Sequence, residues 1–141
     1  MDDTEQTRRL THHGTMKMLT TAVAKAEEIG QPQCIVIVDA SGETLSEIRM
    51  TGSKFLSRRS ALAKALTSAS HGIPSANVPE PVRLPIAAAT DGAVTGLGGG
   101  LPIRIDGALV GGVGVGSGSP DQDLAVAHAA LAAIGADTFT R

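Results

Sequence analysis

The chain has 141 residues, no Trp, no Tyr and two Phe, with a formal net charge of −2 at pH 7. That length fits one domain that buries about two-thirds of its unfolded surface, and the scarcity of aromatics predicts a core of Ala, Val, Leu and Ile in thin, closely apposed layers. The charge gives no overall pull toward nucleic acid, and no run reaches the ~20 apolar residues of a membrane span.

Residues 1–14 are polar and read as a flexible segment without an apolar signal core, which argues against secretion. From Thr15 onward, Met16, Leu19, Val23, Ala26 and Ile29 recur at helical spacing, and Gly30 and Pro32 end the helix. QCIVIVD is a β-branched strand that holds the lone cysteine, Cys34. It reads as a buried small hydrophobe, and an unpaired thiol suits a reducing, cytoplasmic setting. ASGE turns the chain, and TLSEIRM returns as the second strand of a hairpin. A second helix is predicted from Lys54 to Ser70, with Phe55, Leu62, Leu66 and Ala69 on one face and Arg58, Arg59 and Lys64 solvated.

Residues 72–100 hold four prolines and end in TDGAVTGLGGG. They read as a long connection of the kind that carries function. LPIRI, a two-residue DG turn and ALVGGVGV make a second hairpin. Ser119 caps the last helix, Pro120 takes its first position and Gln122 closes a capping box. Leu124, Ala127, Leu131 and Ile134 form its predicted stripe. Two hairpins and these helices imply an α+β fold with an antiparallel sheet, and residues 15–141 form one domain.

The glycines of GGVGVGSG lie between a strand and a helix, as in a dinucleotide site. The strand before them is fed by a tight hairpin, however, and a Rossmann half needs a parallel unit and a later acidic residue. At period two, Val110, Gly112, Gly114 and Gly116 share one nearly bare face. A bare strip admits a helix at close range or a flat ligand.

Several groups are candidates for a site. GLGGG at 96–100, above all Gly98, Gly99 and Gly100, can turn amides inward as an anion-binding nest. Arg49 ends a strand beside a TG break, and Arg104 alternates with Ile103 and Ile105; either guanidinium can clamp a carboxylate. His128 borders the last helix's stripe and is a candidate acid/base or ligand. His71 reads as a cation at a helix end. No HxxxH or CxxC spacing points to a dedicated metal site.

Four stretches, CIVIVDASGETLSEIRMTG, SRRSALAKALTSA, GGGLPIRIDGALVGGVGVGSGSPDQD and AVAHAALAAIG, resemble the GlcG/HbpS family, which also takes in the C-terminal domain of PduO-type proteins. The resemblance implies a profilin-like antiparallel sheet of about five strands flanked by helices. It also implies a homo-oligomer, an octamer in some members, with heme or other tetrapyrroles bound in some. Thr51 stands where the family often has Asp, Leu124 where Glu is common and Ala130 where Gly is usual.

Two functions follow as expectations. The first is a cytoplasmic small-ligand binder whose ligand is heme or another planar carboxylated molecule. The alternative is a catabolic isomerase, tautomerase or hydratase acting on a small carboxylic acid. It would use His128 as acid/base, Arg49 or Arg104 as clamp and the 98–100 amides as oxyanion donors. In both, Arg49, His128 and the glycines are expected to meet at one rim.

Overall fold

A computed structural model describes residues 1–139. Helix α1 (His12–Glu28) leads into the hairpin β1 (Cys34–Asp39) and β2 (Thr44–Arg49). Helix α2 (Ser57–His71), a single 3-10 turn (Ser75–Asn77) and helix α3 (Glu80–Ala89) follow. The second hairpin, β3 (Gly100–Ile105) and β4 (Ala108–Gly116), precedes helix α4 (Pro120–Ala133). The sheet is antiparallel in the order β2-β1-β4-β3. The fold is therefore α+β as expected, with four strands among the described residues rather than about five. The outer edge of β3 is covered by the tail after α4, where the amide of Asp137 donates to the carbonyl of Arg104 at 3.0 Å.

One face of the sheet, carrying Ile35, Ile37, Leu101, Ile103, Val113 and Val115, packs under α1 and α4. The other carries Cys34, Val36 and Val38 and packs under α2 through Ala61, Ala65 and Ala69. The bare glycine strip is what lets α2 come so close. A Cβ at Gly114 would collide with the carbonyl of Ala61, and one at Gly112 with that of Ala65. At Gly116 it would lie 3.1 Å from the carbonyl of Ser57. Along this strip the helix, not a ligand, covers the strand. Val110 does not belong to it. The register against β3 slips after Ile103, so Gly111 faces Ile103 and Leu109 faces Arg104. Val110, left between them, packs with the α1 and α4 core.

The helices keep their order, and all four expected stripe residues of α4, with Leu19, Val23, Ala26 and Ile29 of α1 and Leu62, Leu66 and Ala69 of α2, lie in or against the core. α1 starts at His12, where Thr11 accepts the Gly14 amide at 3.2 Å. It buries Thr15, Met18, Ala22 and Ala26, leaving Met16 60% exposed. Small residues are chosen for the buried line because α1 lies close against Ala127 and Ala130 of α4. Phe55 precedes α2 and is exposed, and the helix buries Ala61, Lys64, Ala65, Thr67, Ser68 and Ala69. Helix α3 occupies a stretch expected to be irregular. Pro81 sits in its first turn, where no donor is needed, and Pro85 removes only the bond to the carbonyl of Pro81. Arg83 fastens α3 to the chain before it, through Nε to the carbonyl of Val78 at 2.8 Å and Nη2 to that of Ala76 at 3.0 Å. The start of α4 matches expectation, with both halves of its capping box formed by Ser119 and Gln122.

Candidate functional site

The expected rim does not assemble within one subunit. Arg49 pairs with Cys34 across the hairpin, so its side chain belongs to the α2 face of the sheet. His128 is on α4, on the opposite face. Its ring is committed to the backbone. Nδ1 lies 3.0 Å from the carbonyl of Leu124, and Nε2 lies 2.7 Å from the carbonyl of Phe139 and 3.3 Å from its amide. The carbonyls of Leu124 and Phe139 and the Phe139 amide thus engage both ring nitrogens. No ring nitrogen is then left for a substrate.

The 98–100 glycines turn inward. Gly99 has φ +118, and a Cβ there would lie 2.6 Å from the carbonyl of Val115 and 3.1 Å from Lys64 Nζ. Its own carbonyl accepts from the Val115 amide at 2.9 Å. The Gly100 amide donates to Ser75 Oγ at 2.9 Å, so it is used inside the protein rather than offered to an anion. Gly98 is half-buried against Ala76 and Pro120. Arg104 is half-buried too, and its Nη2 donates to the carbonyl of Gly72, the C-cap of α2, at 3.3 Å. A guanidinium suits that helix end.

Lys64 is the residue whose place the sequence reading missed. Predicted to be solvated, it is buried, 3.1 Å from Asp123 Oδ2. The available signal was its spacing, three residues after Ala61 and four before Ser68 on the small-residue face of α2.

Arg49 alone keeps the features of a binding residue. Its guanidinium lies 5.9 Å from the ring centroid of Phe55, which is 65% exposed beside Leu56 at 59%. Among the described residues it joins no ion pair or side-chain hydrogen bond. The loop that holds this platform is fixed by short bonds. Ser53 Oγ donates to the carbonyl of Met50 at 2.6 Å, and the Lys54 amide donates to Ser117 Oγ at 2.9 Å. On its other side Arg49 borders a cleft of about 580 Å³ between the end of α1 and β2, lined by Val23, Glu27, Ile48 and Met50.

The family model described as Haem degrading protein HbpS-like matches residues 10–132. The chain belongs to the HbpS-like family. It is 35% identical over 127 residues to the corrinoid adenosyltransferase PduO of Citrobacter freundii, covering 86% of this chain and 38% of PduO. The chain thus spans well under half of that relative. The crystal structure of the Klebsiella pneumoniae protein ORFY superposes with a TM-score of 0.90 at 26% identity, over 96% of this chain and 97% of that one. A PduOC:heme complex superposes with a TM-score of 0.86 at 29% identity, over 94% of this chain and all (100%) of that one. No helix of the described residues is long and apolar enough to cross a membrane.

Proposed function

We propose that this HbpS-like protein binds a small planar carboxylated ligand, heme or a related tetrapyrrole, on the Arg49–Phe55 platform. The observation that carries the reading is an exposed aromatic ring with an unpaired guanidinium beside it. The ring offers a stacking face, and the guanidinium offers a fork for a carboxylate. Family membership and the likeness to a PduOC:heme complex support tetrapyrroles as the ligand class. The neighbouring cleft suits an anion less well, because Glu27 shares its wall.

The platform fits the organic part of a heme. Its sulfur atoms are not offered to the iron: Cys34 is buried beneath Ser53, and the Met50 sulfur accepts the Gln33 amide at 3.4 Å. Heme, when bound, would supply a redox-active iron; this chain's residues would stack against the macrocycle's edge and orient its acid groups. Gly98, Gly99, Gly100, Arg104 and His128 take structural parts in this reading, and the acid/base chemistry of an isomerase has no free imidazole at residue 128.

A homo-oligomer and a cytoplasmic setting complete the proposal. The first is supported by α3, which buries no residue and leaves Val82 and Leu84 exposed; the second by the unpaired thiol of Cys34. Light scattering should report a multiple of the 14.3 kDa chain, and a monomer would overturn that part. Absorbance titration with heme and with iron-free protoporphyrin tests the binding. Saturable binding is expected, weakened more than about tenfold by Arg49→Ala through loss of a charge-assisted pair. Failure of the unaltered protein to bind either porphyrin would overturn the reading.

A further inference from the structure

We propose that the ligand of this platform carries two acid groups and that Lys54 and Arg59 hold the second. The inference rests on the ligand-binding reading above and extends it to a chemical class.

No Asp or Glu occurs between Glu47 and Glu80, yet Arg49, Lys54, Arg58, Arg59 and Lys64 all fall in that stretch. Two of these cations are already matched. Lys64 is buried on Asp123, and Arg58 Nη2 lies 3.0 Å from Glu47 Oε1. Arg49, Lys54 and Arg59 are exposed, and none of them joins an ion pair among the described residues. Three unmatched cations therefore accompany an exposed apolar pair, Phe55 and Leu56: Arg49 beside the Phe55 ring, and Lys54 and Arg59 close by in sequence, on a chain whose net charge is −2. A local surplus opposite in sign to the whole molecule calls for an anionic partner.

The first turn of α2 shows which groups would take that anion. The amides of Ser57, Arg58 and Arg59 already donate to the carbonyls of Lys54, Phe55 and Leu56. The helix start therefore offers no free donors there, and recognition falls to side chains. Arg59 follows Leu56 by three residues and stands beside it on the helix surface. Lys54 is held next to Phe55 by the bond from its amide to Ser117. A monoacid would engage Arg49 and leave the other two cations unmatched. A flat diacid would engage Arg49 with one acid group and Lys54 and Arg59 with the other.

The test compares protoporphyrin IX with its monomethyl and dimethyl esters, by fluorescence titration at low and high salt. The proteins are the unaltered chain and the double variant Lys54→Gln/Arg59→Gln, whose exposed positions leave the fold intact. For the unaltered protein, affinity should fall from diacid to monoester to diester, by roughly tenfold per acid group. The double variant should lose roughly tenfold for the diacid, keep its monoester affinity and show a weaker salt dependence. Equal affinity of the unaltered protein for diacid and monoester, or a double variant unchanged toward the diacid, overturns the second acid group and leaves the ligand-binding reading standing. Binding of none of the three by the unaltered protein removes both.

Discussion

Lys64 Nζ lies 3.1 Å from Asp123 Oδ2, and their side chains are only 6% and 4% exposed. The pair joins α2 to the start of α4, helices on opposite faces of the sheet. It passes beside Gly99, where a Cβ would lie 3.0 Å from that of Asp123. Lys64 also donates to the carbonyl of Val115 at 2.7 Å, and Asp123 Oδ1 accepts the Gly118 amide at 3.0 Å. Four of the stretches that meet at this end of the sheet are held by one ion pair.

Breaking that pair from one side leaves a buried charge unmatched. Lys64→Ala and Asp123→Ala are each expected to cost about 3–5 kcal/mol in urea unfolding. The double substitution Lys64→Met/Asp123→Leu should cost less than the sum of the singles, because neither charge remains to be desolvated. Singles that cost less than about 1 kcal/mol, the range of surface pairs, would show that the pair is solvated.

Gly114→Ala places a methyl group against the carbonyl of Ala61 and 2.6 Å from the amide of Ala65. Backbone cannot yield as a side-chain tip can, so a loss of about 1–3 kcal/mol is expected. Gly98→Ala is the control: its Cβ would meet Ala76 and Pro120 at 3.7 and 3.8 Å, ordinary contact distances. It should stay within about 0.5 kcal/mol of the unaltered protein. Equal melting temperatures for the two variants would contradict the close approach of α2.

The strands, their pairing within each hairpin and the capped start of α4 were legible in the sequence, because alternation, the DG turn and the Ser119–Gln122 box each act within a few residues; the β1–β4 pairing that joins the hairpins is a long-range contact and was not. The buried faces of α1 and α2 were legible only in part: Leu19, Val23, Ala26 and Ile29, and Leu62, Leu66 and Ala69, meet the core as expected, but Met18, Ala22, Ala61 and Ala65 were not singled out. Large apolar residues mark a helix's core face only where there is room for them, and here Ala22, Ala26, Ala61 and Ala65 face partners at close range. Large residues such as Met16 and Phe55 are left outside. Helix α3 was hidden because Pro81 and Pro85 read as breakers, although one needs no donor and the other gives up a single bond. At the candidate site, Arg49 drew attention by its place at a strand end, while Phe55, whose ring it lies beside, was assigned to the core. His128, Gly100 and Arg104 were identified as polar groups able to bind; that the backbone of Phe139, the hydroxyl of Ser75 and the carbonyl of Gly72 already occupy them is a tertiary fact.

His128 acts as a clasp for the tail. Its Nε2 meets the amide and carbonyl of Phe139, whose side chain packs on the main core, while Asp137 bonds to the edge of β3. His128→Ala should raise amide hydrogen exchange at Asp137 and Phe139 and cost about 1 kcal/mol, the worth of a lost hydrogen bond. Porphyrin affinity should not change, since the residue lies on the face away from Arg49. Unaltered exchange in the tail would refute the clasp, and a loss of porphyrin affinity would return His128 to the site.

Asp39 sets the register of the hairpin that carries Arg49. Its Oδ1 accepts the amides of Ser41 and Glu43 at 2.9 and 3.0 Å and the Ser41 hydroxyl at 3.0 Å. Partial burial works against the charged form, but the bonds from Glu43 and Ser41, with the nearby charge of Arg9, outweigh it and hold the carboxyl below its usual value of 3.8. A carboxylate whose pKa is lowered on folding stabilises the fold at pH above its unfolded value. That contribution is lost as pH falls through the folded value. The loss should therefore appear below about pH 4. Asp39→Asn, which keeps an acceptor oxygen but does not titrate, should lack this component. Urea unfolding of both proteins between about pH 2.5 and pH 7 is the measurement. The unaltered chain should be the more stable near neutrality, and the two should converge in acid. Stability curves that stay parallel across that range would mean that the turn does not depend on the charge of Asp39.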